Sequence, residues 1–173
     1  MKIKVLEKKL GCMPQIIKKG DWIDLCASED VELKCPQANR LHKYKEFDHK
    51  VRDIDFYSAL IPLGVAMEIP KGYEAILVPR SSTFLKMGIL QTNSIGVIDN
   101  TYSSDKDEWK MSALAIRNVK IPKGTRIAQF RVQLSQKATF WQKIKWLFSS
   151  GVKLEQVASL DNETRGGFGS TGE

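Results

Sequence analysis

The sequence has few of the residues that build covalently linked or metal-linked folds. Its three cysteines, Cys12, Cys26 and Cys35, are an odd number and form no CxxC pair. This pattern excludes a disulfide framework and favours a reducing, cytoplasmic setting. The two histidines, His42 and His49, lie in a charged segment without the HxxxH spacing of a helical zinc site, so we expect them on the surface.

Long hydrophobic runs are also absent. No apolar segment approaches the length that crosses a bilayer, and the first residues lack the pattern of a signal peptide. We therefore expect no membrane partner. An apolar fraction of 42% over 173 residues instead predicts a single domain, residues 1–173, with a sizeable core.

The net charge of +7 raises the question of nucleic-acid binding. The basic residues are scattered along the chain, however, and no recognition helix or aromatic-studded basic stripe accompanies them. We expect no nucleic-acid polymer as a partner. Attraction of a polyphosphate anion and simple solubility both explain the positive charge.

Short apolar segments separated by Gly, Pro, Asn and Asp indicate an all-β barrel or sandwich. Two matching turns, Pro70-Lys71-Gly72 and Pro122-Lys123-Gly124, each precede an apolar strand. The predicted strands are 2–6, 22–27, 31–34, 54–60, 63–68, 73–79, 89–92, 95–98, 108–117 and 125–134.

Three stretches depart from this pattern of short strands and turns. Residues 35–53 are polar and charged, which predicts a surface insertion, and residues 162–173 form a glycine-rich tail that we expect to be mobile when no ligand is bound. Residues 138–149 have the apolar spacing of a helix, with Trp146 among the polar positions. We expect the apolar face to pack on the barrel or at a subunit contact, and membrane-surface attachment is the alternative. That face contains Phe140, Trp141, Ile144, Leu147 and Phe148.

The central motif is the stretch from Gly96 to Tyr102. A short apolar run ends at a carboxylate, Asp99, and an aromatic residue follows three positions later. A carboxylate fixed at the end of a buried strand suits a general base. The alternative is an ordinary hairpin turn, in which Asp and Asn are common.

Two further motifs suit anion binding, and a third suits a metal ion. Arg80-Ser81-Ser82 follows a predicted strand and starts a short helix, where hydroxyl and backbone donors bind anions, although serine is also a common N-cap. Arg126 and Gln129 are three residues apart, so either a bulge intervenes or one of them is structural. Asp24 is a lone acid in an apolar strand, and it is either a turn residue or a partner for waters on a magnesium ion.

The tail combines glycines, hydroxyls, Arg165 and the aromatic Phe168. It is not a Walker A loop, because Glu173 occupies the position that would require lysine. The composition fits a lid over a nucleotide, or else a disordered terminus.

Taken in their order along the chain, the five motifs resemble the trimeric dUTPase family over nearly the whole chain, from Asp24 to Gly172. The resemblance implies a jelly-roll-like β-clip barrel, to which the helix predicted at residues 138–149 near the C-terminus is an addition. It also implies Mg2+-dependent hydrolysis of dUTP to dUMP and pyrophosphate. The resemblance further implies a homotrimer whose sites lie at subunit interfaces.

The resemblance implies a role for each matching residue. Asp99 would activate water for attack on the α-phosphorus, Tyr102 would stack on deoxyribose, and Asp24 would meet Mg2+ through water. Backbone groups of the hairpin around residues 96–110 would recognise uracil. The remaining substrate-binding residues would be Arg80, Ser81, Ser82, Gly96, Arg126, Gln129, Arg165, Phe168, Gly169 and Ser170.

Two other functions remain open. A dCTP deaminase shares the fold, but its proton-shuttling glutamate is replaced by alanine in Leu114-Ala115-Ile116-Arg117-Asn118. A non-catalytic dUTP-sensing or protein-binding module is the second alternative. The stretch after Tyr102 also departs from the family, which often has Arg-Gly there, whereas Ser103 to Trp109 form a longer acidic turn.

Overall fold

The computed structural model describes residues 1–43, 50–149, 151–164 and 166–167. Within these ranges the chain forms strands and two short helices, which confirms the predicted all-β class. The strands are β1 (Lys2–Glu7), β2 (Gln15–Ile16), β3 (Ile23–Cys26), β4 (Val31–Leu33), β5 (Gln37–Lys43), β6 (Lys50–Asp55), β7 (Ser58–Pro62), β8 (Val65–Glu68), β9 (Tyr73–Pro79), β10 (Ile89–Gln91), β11 (Gly96–Asp99), β12 (Lys110–Ala115), β13 (Val119–Ile121), β14 (Arg126–Leu134) and β15 (Lys153–Val157). The helices are α1 (Ser81–Met87) and α2 (Phe140–Leu147).

A five-stranded antiparallel sheet positions the candidate site, with the strand order β11-β9-β14-β3-β2. Residues alternate between the core and the outer face along β9, where Tyr73, Ala75 and Leu77 are buried. This period of two is the pattern of a strand with one face on the core. In this sheet β9 lies between β11 and β14, so it has a neighbour on each side.

The other strands form smaller sheets. Strand β1 pairs in parallel with β15 and antiparallel with β8, so the chain after α2 returns to the N-terminal strand. Strands β10, β12 and β7 form a second three-stranded sheet, and β4 pairs with β13. Between the sheets, the buried ring of Trp109 packs edge-on against Phe130, with 5.1 Å between ring centroids.

The two predicted turns are present with the same geometry. Tyr73 N–H donates to the Pro70 carbonyl and Thr125 N–H donates to the Pro122 carbonyl, each at 3.1 Å. Gly72 has a φ of +89° and Gly124 a φ of +82°. Both values lie in the left-handed region that glycine adopts without strain, so each turn requires its glycine.

All three cysteines are free, and Cys12 and Cys26 are buried. Burial raises the pKa of the Cys12 thiol to about 11, and the neighbouring Cys26 adds to the effect. A thiol with so high a pKa is almost entirely protonated at neutral pH and therefore unreactive.

The region predicted as a polar insertion contains β structure. Strands β5 and β6 pair antiparallel as a hairpin, with a register shift between Ala38 and Leu41. The predicted strand 54–60 is wrong, because β6 ends at Asp55 and β7 begins at Ser58. Phe56 lies exposed between them. Charged residues on both strands of a hairpin concealed its alternating pattern.

Helix α2 is confirmed, but the side that faces the barrel is the opposite of the predicted one. Trp146 packs on Tyr73 with 5.6 Å between ring centroids, and the Gln142 Nε2 donates to the Lys71 carbonyl at 2.7 Å. These two residues are four apart and share one side of the helix. On the predicted apolar face, Phe140, Trp141, Leu147 and Phe148 are exposed and Ile144 is half-buried. The predicted packing of this face on the barrel is therefore wrong, and the alternative of a subunit contact stays a prediction.

The helix starts at a capping box. The Gln142 N–H donates to the Thr139 hydroxyl, and the Gln142 side-chain oxygen accepts from the Thr139 N–H. Gln142 therefore fixes the start of the helix, and it also fixes the position of the helix against the turn at Lys71. In the described ranges, neither helix has the length and apolarity of a membrane span.

Candidate active site

Asp24 lies between two arginines. It is only 4% exposed, and its two oxygens accept from different residues, Oδ1 from Arg80 Nε at 3.0 Å and Oδ2 from Arg126 Nη1 at 3.1 Å. Burying a carboxylate is costly unless it is paired in this way. Both guanidinium groups are more exposed than Asp24 and keep further N–H donors for an anion.

A register shift in strand pairing explains how the side chains of Arg126 and Gln129 can contribute to the same part of the site. The pairing of β14 with β3 shifts register between Arg126 and Ala128, after which Gln129 lies opposite Asp24. The Gln129 Nε2 donates to the Pro79 carbonyl at 3.3 Å, beside Arg80. Of the two explanations that the spacing allowed, this register shift favours the bulge. We call Asp24, Arg80, Arg126 and Gln129 the arginine cluster.

Helix α1 begins beside this cluster. Arg80 is the N-cap and has an extended backbone, and no described side chain caps the helix, so the serines are not N-caps. Ser81 is exposed and Ser82 is half-buried. The buried Thr83 hydroxyl donates to the Ile127 carbonyl at 2.7 Å and ties the helix start to β14. The two serine hydroxyls therefore lie next to the arginines on a fixed backbone.

Asp99 ends strand β11. Its Oδ1 accepts from the Thr101 N–H at 2.8 Å and from the Thr101 hydroxyl. Strand pairing with β9 and this local turn together fix the half-buried carboxylate. The strand approaches β9 closely at Gly96, where an added Cβ would lie 3.2 Å from the Leu77 Cβ.

Tyr102 is held on both sides. Its hydroxyl donates to the Glu108 carbonyl at 3.0 Å, and its N–H donates to the Asp99 carbonyl at 3.2 Å. Burial raises the pKa of Tyr102, and the charges of Asp107 and Glu108 raise it further. Gly167 lies against the ring, since a Cβ there would be 2.7 Å from the Tyr102 Cε2. We call Asp99, Tyr102 and Gly167 the tyrosine cluster.

A small cavity of about 80 Å³ adjoins the tyrosine cluster. Gln91 and the fully buried Trp109 are among its lining residues. The Gln91 Oε1 and the Trp109 indole N–H have no hydrogen-bond partner among the described residues. Buried polar groups usually have partners, so this acceptor and this donor are exceptions beside the cavity. A larger cavity of about 650 Å³, near Trp146 and Arg131, is lined by none of the predicted site residues.

The two clusters lie at opposite ends of β9. Asp99 pairs with Glu74, near the start of that strand, and Arg80 directly follows its last residue. At a rise of about 3.3 Å per residue, the Cα atoms of Glu74 and Arg80 are about 20 Å apart. One chain therefore does not bring the predicted base and the predicted phosphate-binding residues together.

Comparison with known proteins decides the family. The family model described as dUTPase matches residues 46–172. The chain belongs to the dUTPase family. A prophage-derived deoxyuridine 5'-triphosphate nucleotidohydrolase of Bacillus subtilis is 43% identical over 172 residues, covering 99% of this chain and 97% of the relative. The Rickettsia prowazekii deoxyuridine 5'-triphosphate nucleotidohydrolase is 31% identical over 175 residues, covering 99% and 96%.

Solved dUTPase structures have the same fold. The Streptococcus mutans dUTPase superposes with a TM-score of 0.61 at 18% identity, covering 80% of this chain and 99% of that one. A variant of the dUTPase from phage phi11 of S. aureus, which coordinates a structural Mg(II) ion, has a TM-score of 0.60 at 17% identity and covers 80% and 94%. At these identities the match establishes the fold, and it confirms the predicted jelly-roll-like class.

The predicted tail residues of this dUTPase lie largely outside the described residues. Arg165, Phe168, Gly169 and Ser170 belong to that group, so their predicted roles remain predictions. Gly166 and Gly167 are described, and Gly167 places this end of the tail on Tyr102.

The oxygen atoms that this dUTPase could offer to a metal fit a magnesium ion that is coordinated mainly by substrate. Among the described residues, no group of three or more His, Cys, Asp or Glu side chains is placed to hold a metal. Each Asp24 oxygen already accepts from an arginine but retains a second acceptor position for water. Mg2+ usually keeps several waters and takes substrate phosphates as ligands, so a water-mediated contact with Asp24 suits it.

Sequence reasoning missed several residues around the tyrosine cluster. Gln91 and Trp109 line its cavity, and Asp105 and Asp107 lie in the turn beside it. The acidic turn was a visible departure from the family pattern, which was the available signal for the two aspartates. Nothing in the sequence marked the indole of Trp109, because a buried tryptophan is usually a core residue.

Proposed function

We propose that this dUTPase hydrolyses dUTP to dUMP and pyrophosphate by attack of water on the α-phosphorus, with Asp99 as the general base. Membership of the dUTPase family supports the reaction. A general base must hold its acceptor oxygen within hydrogen-bond reach of the water. The two hydrogen bonds from Thr101 and the pairing of β11 with β9 support this role, because they fix the Asp99 carboxylate without any contribution from substrate.

The arginine cluster would bind the phosphate chain. Attack on a polyanion is accelerated mainly by charge neutralisation and positioning. Arg80 and Arg126 bring two fixed positive charges, and Asp24 orients both guanidinium groups. Ser81 and Ser82 would donate to the bridge between the α- and β-phosphates, and Gln129 would hold a phosphate oxygen. In the tail, Arg165 would add a third positive charge.

The tyrosine cluster would bind the nucleoside. The Tyr102 ring would stack on deoxyribose, and its fixed position would leave no space for a ribose 2′-hydroxyl. Backbone groups around Gly96 would pair with uracil, which Phe168 would cover, assisted by Gly169 and Ser170. The small size of the adjoining cavity supports selection of a pyrimidine.

Mg2+ would be bound by the triphosphate and, through water, by Asp24. When bound, it would neutralise phosphate charge and help to orient the phosphates for in-line attack. The protein's own contribution is the two guanidinium groups of Arg80 and Arg126, which would neutralise part of the same charge. We also propose a reducing, cytoplasmic setting, consistent with the three free cysteines.

The observation that carries this proposal is the separation of about 20 Å between the two ends of β9. Asp99 and Arg80 must act on neighbouring atoms of one triphosphate, yet one chain holds them apart. We therefore propose a homotrimer in which each site takes the arginine cluster from one chain and the tyrosine cluster from another.

The test is pyrophosphate release with dUTP, dCTP, dTTP and UTP. We expect turnover of dUTP with little release from the other three. Equal turnover of dUTP and UTP would contradict the role of Tyr102. Ammonia release from dCTP would support a deaminase, although Ala115 is an apolar residue buried in β12. Tight dUTP binding without turnover would support a sensing module.

A further inference from the structure

Helix α2 exposes most of its large apolar side chains. Phe140, Trp141, Leu147 and Phe148 are each at least 67% exposed. We call these four residues, together with Ile144, the aromatic face. Single apolar residues scattered over a surface are normal, but a contiguous group of this kind marks an interaction site.

The contacts of α2 with the barrel define the direction of the aromatic face. Gln142 and Trp146 touch the barrel, at the Lys71 carbonyl and at the Tyr73 ring. Successive residues of an α-helix are about 100° apart, so Ile144 lies about 160° around the helix from both contact residues. The aromatic face is therefore centred on the side opposite the barrel contacts, although Ile144 itself is half-buried.

Two exposed lysines border the aromatic face. In the same helical geometry, Lys143 and Lys145 lie about 100° to either side of Ile144. Neither lysine forms an ion pair with any residue that the structure describes. Residues 109–154, which include the whole helix, contain no aspartate or glutamate. Positive charge therefore borders the apolar side chains on both sides.

An anionic lipid surface matches this arrangement. Helices that lie in a membrane interface place Trp, Phe and Leu among the lipids and Lys along the polar border, where anionic headgroups attract it. The expectation of no membrane partner came from the lack of a spanning segment, which such a helix does not need. A second copy of the aromatic face matches poorly, because it would bring the lysines of two chains together.

We propose that α2 docks this dUTPase on the surface of a bilayer that contains anionic phospholipids. The aromatic face would enter the headgroup region, with Lys143 and Lys145 at the level of the lipid phosphates. One short helix binds weakly, so copies of α2 in one oligomer that reach the same bilayer would strengthen the attachment. That gain rests on the proposed homotrimer, whereas the docking itself does not.

Co-sedimentation with lipid vesicles tests the proposal. The probe is a vesicle of phosphatidylcholine and phosphatidylglycerol in equal amounts, and a vesicle of phosphatidylcholine alone is the comparison. We expect the full chain to bind the mixed vesicle at least about tenfold more tightly, because its lysines are attracted to the anionic headgroups. Raising NaCl from about 0.1 M to about 0.5 M should weaken that binding, since salt screens exposed charges.

An alanine variant tests the apolar contribution. Phe148 is 84% exposed, and Phe56, which is 64% exposed in the loop between β6 and β7, is the matched control. Phe148→Ala should weaken binding to the mixed vesicle by about tenfold, because the ring no longer leaves water on docking. Phe56→Ala should leave binding unchanged. Both variants should keep the wild-type midpoint of urea denaturation, because exposed side chains contribute little to stability.

Charge reversal tests the basic border. The double variant Lys143→Glu and Lys145→Glu should weaken binding to the mixed vesicle by at least about tenfold. The matched control is Lys9→Glu and Lys34→Glu, which changes the net charge equally at two exposed lysines outside α2. The control should weaken binding by less than about twofold, because attraction falls off within a Debye length of the lipid surface.

Three results would overturn the proposal. The first is equal binding of the full chain to the two kinds of vesicle. The second is equal binding of Phe148→Ala and Phe56→Ala, and the third is equal weakening by the two double variants. A full chain that binds no vesicle, with a smaller oligomer in Phe148→Ala, would also overturn it and assign the aromatic face to a subunit contact. None of these measurements uses pyrophosphate release, so this proposal and the proposed function fail independently.

Discussion

Asp24 and Asp99 are chemically identical side chains in two different environments. Asp24 is buried between two arginines, whereas Asp99 ends a strand and accepts from the adjacent turn. The first arrangement neutralises the carboxylate and orients its partners. The second fixes a carboxylate through two hydrogen bonds from Thr101 in the adjacent turn. These environments support an anchoring role for Asp24 and a base role for Asp99.

Replacement of the base should affect kcat. Asp99→Asn keeps the size and an oxygen that accepts from Thr101, but it removes the group that takes a proton. We expect kcat to fall by about 10²- to 10⁴-fold with little change in KM. Pyrophosphate release under saturating dUTP measures this. Asp30→Asn is the matched control, because Asp30 is exposed and accepts from the Lys123 N–H. Equal rates in the two variants would refute the role of Asp99.

Loss of the Asp24 charge should affect both stability and binding. Asp24→Asn leaves Arg80 and Arg126 facing each other without a carboxylate between them. Breaking a buried ion pair usually costs more, but both arginines reach solvent, so we expect about 2 kcal/mol of destabilisation. The KM for dUTP should rise as well. Urea denaturation and the kinetic assay measure the two effects, and unchanged values for both would contradict the anchoring role.

Tyr102 should titrate above its ordinary pKa of 10.0, because burial and two nearby carboxylates disfavour the phenolate. The stability that the neutral phenol contributes is then fully present below pH 10 and is lost as pH rises through the raised pKa. The difference in ultraviolet absorbance between the wild type and Tyr102→Phe during alkaline titration measures this. A transition at or below pH 10 would contradict the described burial.

At the scale of elements, local patterns predicted most strands, the short helix α1 and the two proline–glycine turns. These features depend on alternation and turn chemistry within a few residues. The orientation of α2 depends instead on distant partners, Tyr73 and the carbonyl of Lys71. A helical pattern shows two faces, but it does not show which of them meets the rest of the chain.

The packing of α2 on Tyr73 gives a prediction at the scale of elements. Trp146→Ala should destabilise the fold by about 2 kcal/mol, since it removes a partly buried ring from Tyr73. Trp141→Ala should change stability by less than about 0.5 kcal/mol, because Trp141 is 75% exposed. Urea denaturation of the two variants measures the difference. Comparable destabilisation by Trp141→Ala would instead support the predicted subunit contact.

At the scale of the whole molecule, the motifs and their order were predictable, but their separation was not. Which residue of β11 faces which residue of β9 is a matter of strand register, which the tertiary fold determines. That register places Asp99 beside Glu74 and away from Arg80. The partners of Asp105 and Asp107 in the turn after Tyr102 were not predictable either. They come from residues 159–164, which reach this turn only in the folded chain.

The central claim is that each site combines clusters from two chains, and mixed oligomers test it most directly. Asp99→Asn inactivates the tyrosine cluster, and Arg80→Gln inactivates the arginine cluster while keeping a donor for Asp24. Each variant alone should be nearly inactive. When equal amounts are refolded together, one site in four should combine two intact clusters, so about a quarter of the wild-type pyrophosphate release should return. Mixed trimers, verified by mass, that remain as inactive as the separate variants would contradict the account.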